Sequence, residues 1–379
     1  MSVLTAALST LLLAVPVPPA RDAAPGAAPA VSEPARAERF ELGALLQGWG
    51  FFERAGAAGC LDSSCAANRS TMRLRRAELR LSGEVLPDTL SYRIMIDPAR
   101  ALEMKETVLR VAALDEDGRP VPGELRLQQP SGAITVLQDV TMTWRADGFD
   151  VTLGQFKIPV SWEGCAISSS KLLFPERSLV AREFGDARDL GVRFSARLGA
   201  LLAIASVYNG AGQNTLDTDN AKDAALRLVL TPVEGVGFAL ATYDTVGQRH
   251  LPGTRDRWEA STHLERGPLY LHTELIRARD RVRAGEGGVV HSWGATAAVG
   301  WTFAGRLQPA LRYSRLDPML GRDVDPVEAK GADELHSVEA AVSLLFPGTK
   351  ARLQLGWQSL LFEQRAAAHR AVLVGQLGF

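Results

Sequence analysis

Between residues 159 and 188 the chain carries eight charged side chains in balanced signs. Lys171, Arg177, Arg182 and Arg188 stand against Glu163, Glu176, Glu183 and Asp186. A second set of cations (Arg76, Arg80, Arg193, Arg197, Arg227, Arg306, Arg312 and Arg352) falls on the polar face of alternating segments. Such groups bind and steer ions rather than make or break bonds. Acidic and basic side chains on opposite walls of a narrow passage set a transverse field, and pore-lining charges tune ion preference. Strong oxyanion selection needs several cationic donors converging with little opposing carboxylate. The charges of 159–188 cancel, so they favour anions only weakly. The competing role for the wall arginines is pairing with Glu78, Glu84, Glu259, Glu274 and Glu339 on neighbouring strands, which would stiffen a wall.

Covalent chemistry finds little support. The six histidines, at 250, 263, 272, 291, 336 and 369, show no metal-like spacing. No Gly-x-Ser-x-Gly elbow or phosphate-binding glycine loop occurs, and the pair His291-Ser292 lacks a recognisable acid partner. Asp-rich stretches at 115–117, 217–220 and 323–325 lack a full calcium ligand set and read as solvated loops. Cys60 and Cys65 enclose four residues; in an exported chain a disulfide fits them better than a metal site, for which only Asp62 is near. No enzyme, cofactor or metal is expected. A net charge of −1 gives no bulk attraction for nucleic acid.

The elements that would position these charges are strands. From Arg370 to Phe379 the chain alternates, with Ala371, Leu373, Gly375, Leu377 and Phe379 on one side and Gln376 and Gly378 on the other. The pattern repeats over about sixteen segments: 41–53, 71–86, 89–98, 134–145, 148–158, 189–198, 200–209, 222–232, 236–244, 255–265, 268–277, 290–303, 305–316, 334–346, 349–362 and 366–379. Long connectors (54–70, 99–133, 159–188, 210–221, 245–254, 278–289, 317–333) alternate with very short turns at 87–88, 146–147, 199, 233–235, 266–267, 304–305 and 347–348. Residues 124–128 suggest an extra hairpin inside the second long connector.

In the second segment Ala77, Leu79, Leu81 and Val85 oppose Arg76, Glu78, Arg80, Ser82 and Glu84; further on, Leu353, Leu355 and Trp357 oppose Arg352, Gln354 and Gln358. An arginine facing lipid at mid-depth costs ~2–4 kcal/mol, so the charged face must be the wet one. Apolar outside and polar inside describes a water-filled transmembrane barrel. A soluble barrel turned inside out would preserve the same period. The aromatic-terminated last strand, the alternating connector lengths and the membrane-spanning strand lengths favour the membrane. Trp144, Trp258, Trp293, Trp301, Tyr313 and Trp357 sketch partial aromatic girdles.

Several motifs in order carry a family resemblance. They are Arg75-Arg76-Ala77, then Leu137-Gln138-Asp139-Val140, Leu153-Gly154-Gln155-Phe156-Lys157-Ile158-Pro159, Pro175-Glu176-Arg177-Ser178-Leu179, Arg188-Asp189-Leu190-Gly191-Val192 and Tyr208-Asn209-Gly210. Together they resemble the phosphate-selective porin O and P family. The resemblance implies an all-β, 16-stranded antiparallel transmembrane β-barrel, usually trimeric, whose third outer loop folds inward as the constriction. On this basis Lys171, Arg177, Arg182, Glu163, Glu176, Arg76, Arg80, Arg193 and Arg197 are the candidate pore-lining residues.

The 379 residues are 46% hydrophobic and 22% charged, a balance that averaged barrel faces produce as readily as a soluble fold. Residues 1–20 read as a signal peptide with an apolar core but no basic start, 21–39 as an Ala/Pro-rich disordered linker, and 40–379 as the barrel. The expected protein is an outer-membrane diffusion channel for small hydrophilic solutes or anions, phosphate among them, embedded in lipid as a homotrimer. The alternative is a barrel plugged by its loops that anchors the envelope or binds a surface partner.

Overall fold

The computed structural model describes residues 40–56, 66–102, 104–114, 120–130, 136–246, 254–281, 289–318, 334–363 and 366–379. The expected signal peptide and linker, and the pair Cys60 and Cys65, lie outside them.

Alternation becomes strand throughout. The first seven strands are β1 (Phe40–Gly56), β2 (Ala66–Leu86), β3 (Leu90–Ile96), β4 (Met104–Leu114), β5 (Pro120–Pro130), β6 (Leu137–Ala146) and β7 (Phe149–Lys157). Next come β8 (Arg188–Leu198), β9 (Leu201–Tyr208), β10 (Lys222–Val233), β11 (Val236–Val246), β12 (Arg255–Arg266) and β13 (Leu269–Arg281). The series ends with β14 (Val289–Trp301), β15 (Leu307–Asp317), β16 (Leu335–Leu345), β17 (Arg352–Phe362) and β18 (Ala368–Gly378). Sixteen of these close an antiparallel barrel, while β4 and β5 form a separate two-stranded sheet between β3 and β6. That hairpin runs well beyond residues 124–128, so the second long connector holds more structure than its alternation suggests.

Closure depends on the end of the chain. β18 pairs with β1 from Leu45↔Gly378 to Arg54↔His369. The Phe379 N–H donates to the Ala44 carbonyl at 3.1 Å, and the Ala44 N–H donates to the Phe379 carbonyl at 3.0 Å. A closed seam leaves no edge strand unsatisfied in lipid. The short turns share a cause. Each contains a residue at positive φ: Asp88, Gly148, Gly199, Gly235, Gly267, the pair Ala304 and Gly305, and Gly348. Tight hairpin turns require that conformation, so turn chemistry sets both the register and the short-turned end of the barrel.

The two faces separate as the charge pattern demands. Leu355 is 60% exposed while adjacent Gln354 is 1% exposed; Leu311 is 59% exposed while Arg312 is 2% exposed. Trp144, Trp258, Trp301, Tyr313 and Trp357 also stand on the outer face. Leu355→Arg should therefore cost about 2–4 kcal/mol of folding stability in lipid. Urea titration in vesicles, followed by heat-modifiable gel migration, measures it; no loss of stability would put that face in water. The inner face is less uniformly wet than expected. On β18 it includes Val372 and Val374, which pack with Trp49 and Phe51 of β1.

Candidate functional site: a loop bound across the polar face

Residues 158–187, between β7 and β8, lie against the polar face of the opposite wall. Ser161, held at φ 69°, is gripped by two buried glutamates. Its N–H donates to Glu259 Oε2 at 2.6 Å, and its hydroxyl donates to Glu274 Oε1 at 2.9 Å. Glu259 also takes a bond from Arg227 at 2.6 Å. Trp162 stacks on His263 with ring centroids 4.7 Å apart, and buried His272 sits beside Glu274.

A second node centres on Arg312 of β15. Its guanidinium bonds Glu339 of β16 through two nitrogens at 3.0 and 2.7 Å, and reaches Glu163 Oε1 at 2.9 Å. It also donates to the Glu176 carbonyl at 2.9 Å and lies 4.3 Å over the Phe174 ring. The other Glu163 oxygen accepts from the Ser178 N–H at 2.6 Å, just before the short helix α1 (Leu179–Phe184), and Ser178 caps that helix through the Ala181 N–H. Arg177 braces the loop internally, donating to the Glu163 carbonyl at 2.7 Å and pairing with Asp186, which also holds Lys157 at 2.8 Å. Farther along, Arg352 donates to the Leu172 carbonyl and Gln354 to the Leu173 carbonyl.

Between these polar nodes the contact is apolar. Val160, Val180 and Phe184 pack with Ile276, Ala278 and Leu316, and Leu173 and Phe174 with Ala298, Ala310 and Ala341. Small wall residues make the room. The inner positions of β14 read Ser292, Gly294, Thr296, Ala298 and Gly300. A Cβ on Gly356 would stand 2.5 Å from Pro175 Cγ, and one on Gly294 2.8 Å from Val180 Cγ2. This stripe of small inner residues is a sequence signal that the charge pattern overshadowed.

On the wall of β1 and β2 the loop is held through Glu176. Arg75 donates to its Oε2 at 2.8 Å and Arg76 to its Oε1 at 2.7 Å. Arg76 also donates to Gln47, which bonds Gln376, tying β2, β1 and β18. Beside Glu176, toward the long-loop end, lies a cavity of about 940 Å³ whose charged lining, among the described residues, is Arg69, Arg73, Arg75, Arg182, Arg370 and Glu176. Toward the short-turned end, a cavity of about 460 Å³ is lined by Arg93, Arg145 and Arg193 with Glu41 and Glu84.

Arg69 and Arg73 of the larger cavity face inward because of a bulge. β1 and β2 pair Gln47↔Arg76 and then Gly48↔Leu74, so Arg75 is the extra residue. A bulge shifts the period by one. Arg69 and Arg73 thus join Arg76 and Arg80 inside, whereas an unbroken alternation would have turned them to lipid.

The candidates therefore separate. Glu163 and Arg177 are buried in the interface of loop and wall, and Glu176 and Arg76 pair across to β2. Arg80 pairs with Glu78, and Arg193 lines the smaller cavity. Arg182 is exposed and lines the larger one; Lys171 and Arg197 are exposed and join neither cluster. Arg69, Arg73 and Arg370 were missed by a reading confined to the loop charges and a strict period of two.

Electrostatics explains why the loop stays docked. Burial opposes ionisation of Glu176, yet Arg76 and Arg75 hold its carboxyl well below the ordinary 4.5. Glu163 is buried too, but Arg312, His272 and the Ser178 N–H keep it lowered. Folding lowers both values, so their stabilisation is fully present above about pH 4.5 and is lost only as pH falls through the depressed folded values. Single-channel current should therefore change as pH falls below about 4.5, and a variant carrying Glu163→Gln and Glu176→Gln should lack that acidic change. The same acidic change in parent and variant would contradict this assignment.

Comparisons with known proteins agree with this architecture. A deletion variant of OmpT from Vibrio cholerae aligns with a TM-score of 0.58 at 12% identity, covering 91% of this chain and all of that one. An anion-selective porin from Comamonas acidovorans gives 0.56 at 12% identity, covering 90% and 100%. A trimer form of OmpT gives 0.55 at 10%, covering 91% and 100%. At such identities the likeness establishes the barrel fold alone. No curated relative matches. The phosphate-selective porin O and P profile matches residues 61–267, more than half the chain and the whole of the 158–187 loop. This protein of the outer membrane belongs to the phosphate-selective porin O and P family.

Proposed function

We propose that the protein is a passive diffusion channel for small hydrophilic solutes that favours anions. The 158–187 loop narrows the bore from the β10–β17 side, and solutes pass along the β1–β3 and β6–β8 wall. The observation that carries this reading is the larger cavity, where, among the described residues, five arginines meet one carboxylate. That carboxylate is already neutralised by Arg75 and Arg76. A net excess of fixed positive charge draws in anions and repels cations. Phosphate fits the donor set and the family to which the chain belongs, and the work is done by bore and charge without bond chemistry. The OmpT structure recorded as a trimer supports a homotrimeric assembly.

Reconstitution into a planar bilayer tests this. Stepwise, ohmic conductance is expected. A heat-modifiable barrel that never conducts would instead be one plugged by its loops, with a structural or surface-binding role.

A further inference from the structure

Not every arginine of the wall faces the lumen. β13 runs on to Arg281, past Leu275, the last apolar residue of its outward set. Arg277, Arg279 and Arg281 therefore follow one another on the outer face, while Ile276 and Ala278 point inward and are fully buried. Toward the short turns the same face carries Leu271 and Leu275, with Val299 beside them on β14, all exposed as a lipid-facing band requires.

Tryptophans mark the depth at which this ladder begins. β14 carries Trp301 at its short-turned end and Trp293 farther up, both on the outer face. At ~3.3 Å per residue and a tilt of about 40°, the two stand ~20 Å apart along the membrane normal, close to the ~25 Å apolar band that aromatic girdles bracket. Arg277 is exposed and lies in register with Trp293 on one side and Trp258 of β12 on the other. Arg315 of β15 lies 5.0 Å over the Trp293 ring. An outward arginine is costly at mid-depth but tolerated at the tryptophan level, where lipid headgroups begin. Carboxylates engage part of the set. Asp256 binds Arg279 at 2.8 Å, Glu334 binds Arg315, and Asp244 and Asp317 stand on the flanking strands. Asp280 turns inward to Arg257. Among the described residues, no carboxylate pairs with Arg277 or Arg281.

We propose that this outer face binds a phosphate-bearing glycolipid of the outer leaflet, anchored by Arg277 between the two indoles. The acyl chains lie along Leu271, Leu275 and Val299, and the headgroup meets the arginines at and beyond the tryptophan level. A guanidinium takes a phosphate through two parallel N–H donors, which makes arginine the fitting residue. Arg277 and Arg281 stand ~13 Å apart along the strand, a span that a disaccharide phosphorylated at both ends can bridge. A free anion has nothing to lay against the apolar band, whereas a lipid carries both chemistries in the required order. The site lies outside the bore, so it stands or falls independently of the channel reading.

The test is native mass spectrometry of the full-length, delipidated protein in detergent, titrated with lipid A, dephosphorylated lipid A and phosphatidylglycerol. Lipid A should bind about tenfold or more tightly than either of the others. Arg277→Gln should weaken lipid A about fivefold or more, whereas Arg306→Gln, at a short turn on the opposite end, should leave it unchanged. Equal binding of the three lipids, or undiminished lipid A binding by Arg277→Gln, overturns the proposal. If a second copy of the chain covers this face instead, Arg277→Gln will reduce the oligomer and leave the lipid A adducts unchanged, which overturns it as well. The comparison among lipids uses the unaltered barrel, so misfolding of a variant cannot obscure it.

Discussion

Replacing Arg69, Arg73 and Arg75 together by glutamate is expected to invert the ion preference of the channel. These three residues line the larger cavity from a single strand, and the one carboxylate that lines it among the described residues is already paired. Even fully screened by water, a unit charge at about 4 Å contributes ~1 kcal/mol. Inverting three of them should swing the chloride-to-potassium permeability ratio by about tenfold or more, from above one to below it. Lowering the salt concentration should enlarge the swing, because the Debye length grows from about 10 Å at 0.1 M to about 30 Å at 0.01 M. The measurement is the zero-current potential of the variant beside that of the parent. An unchanged ratio would mean that ions do not pass this wall.

Much of the barrel was readable in the chain itself, for a physical reason. Every strand has one face in hydrocarbon and one away from it, so alternation of Leu353, Leu355 and Trp357 with Arg352 and Gln354 carries the fold almost alone. All sixteen barrel strands lie where that alternation and its turns put them. The candidate site was less legible. A period of two cannot anticipate the extra residue Arg75, which decides whether Arg69 and Arg73 meet lipid or lumen. Nor can charge counting tell that Glu163 and Arg177 would be consumed in packing while β2 supplies Arg69, Arg73 and Arg75 to the cavity. The loop's docking surface was written in small residues, Gly294, Ala298, Gly300 and Gly356, whose meaning depends on what packs against them. Sequence patterns record which face a residue takes more readily than which distant segment covers it.

Arg312→Ala should have the largest effect on the loop. Arg312 bridges Glu163 of the loop and Glu339 of the wall, and all three are buried. Removing one partner of a buried pair leaves uncompensated charge and typically costs about 3–5 kcal/mol. The barrel retains its strand ladders and its lipid face, so the loss should fall on the loop's hold on the wall. Single-channel records of the variant should show larger, noisier currents, and protease should cut within 158–187 where the parent resists. Adding Glu163→Gln and Glu339→Gln to Arg312→Met should recover much of the loss, because neutral groups replace stranded charges. Quiet, unchanged currents and an uncut loop in Arg312→Ala would show that the salt bridges do not hold the constriction.

The central claim is that the excess of arginine over carboxylate beside the β2 wall, among the described residues, governs what passes. The zero-current potential of the unaltered protein across a potassium chloride gradient measures this most directly. Chloride running ahead of potassium will make the dilute side negative, the result predicted here. A dilute side that turns positive would contradict the account.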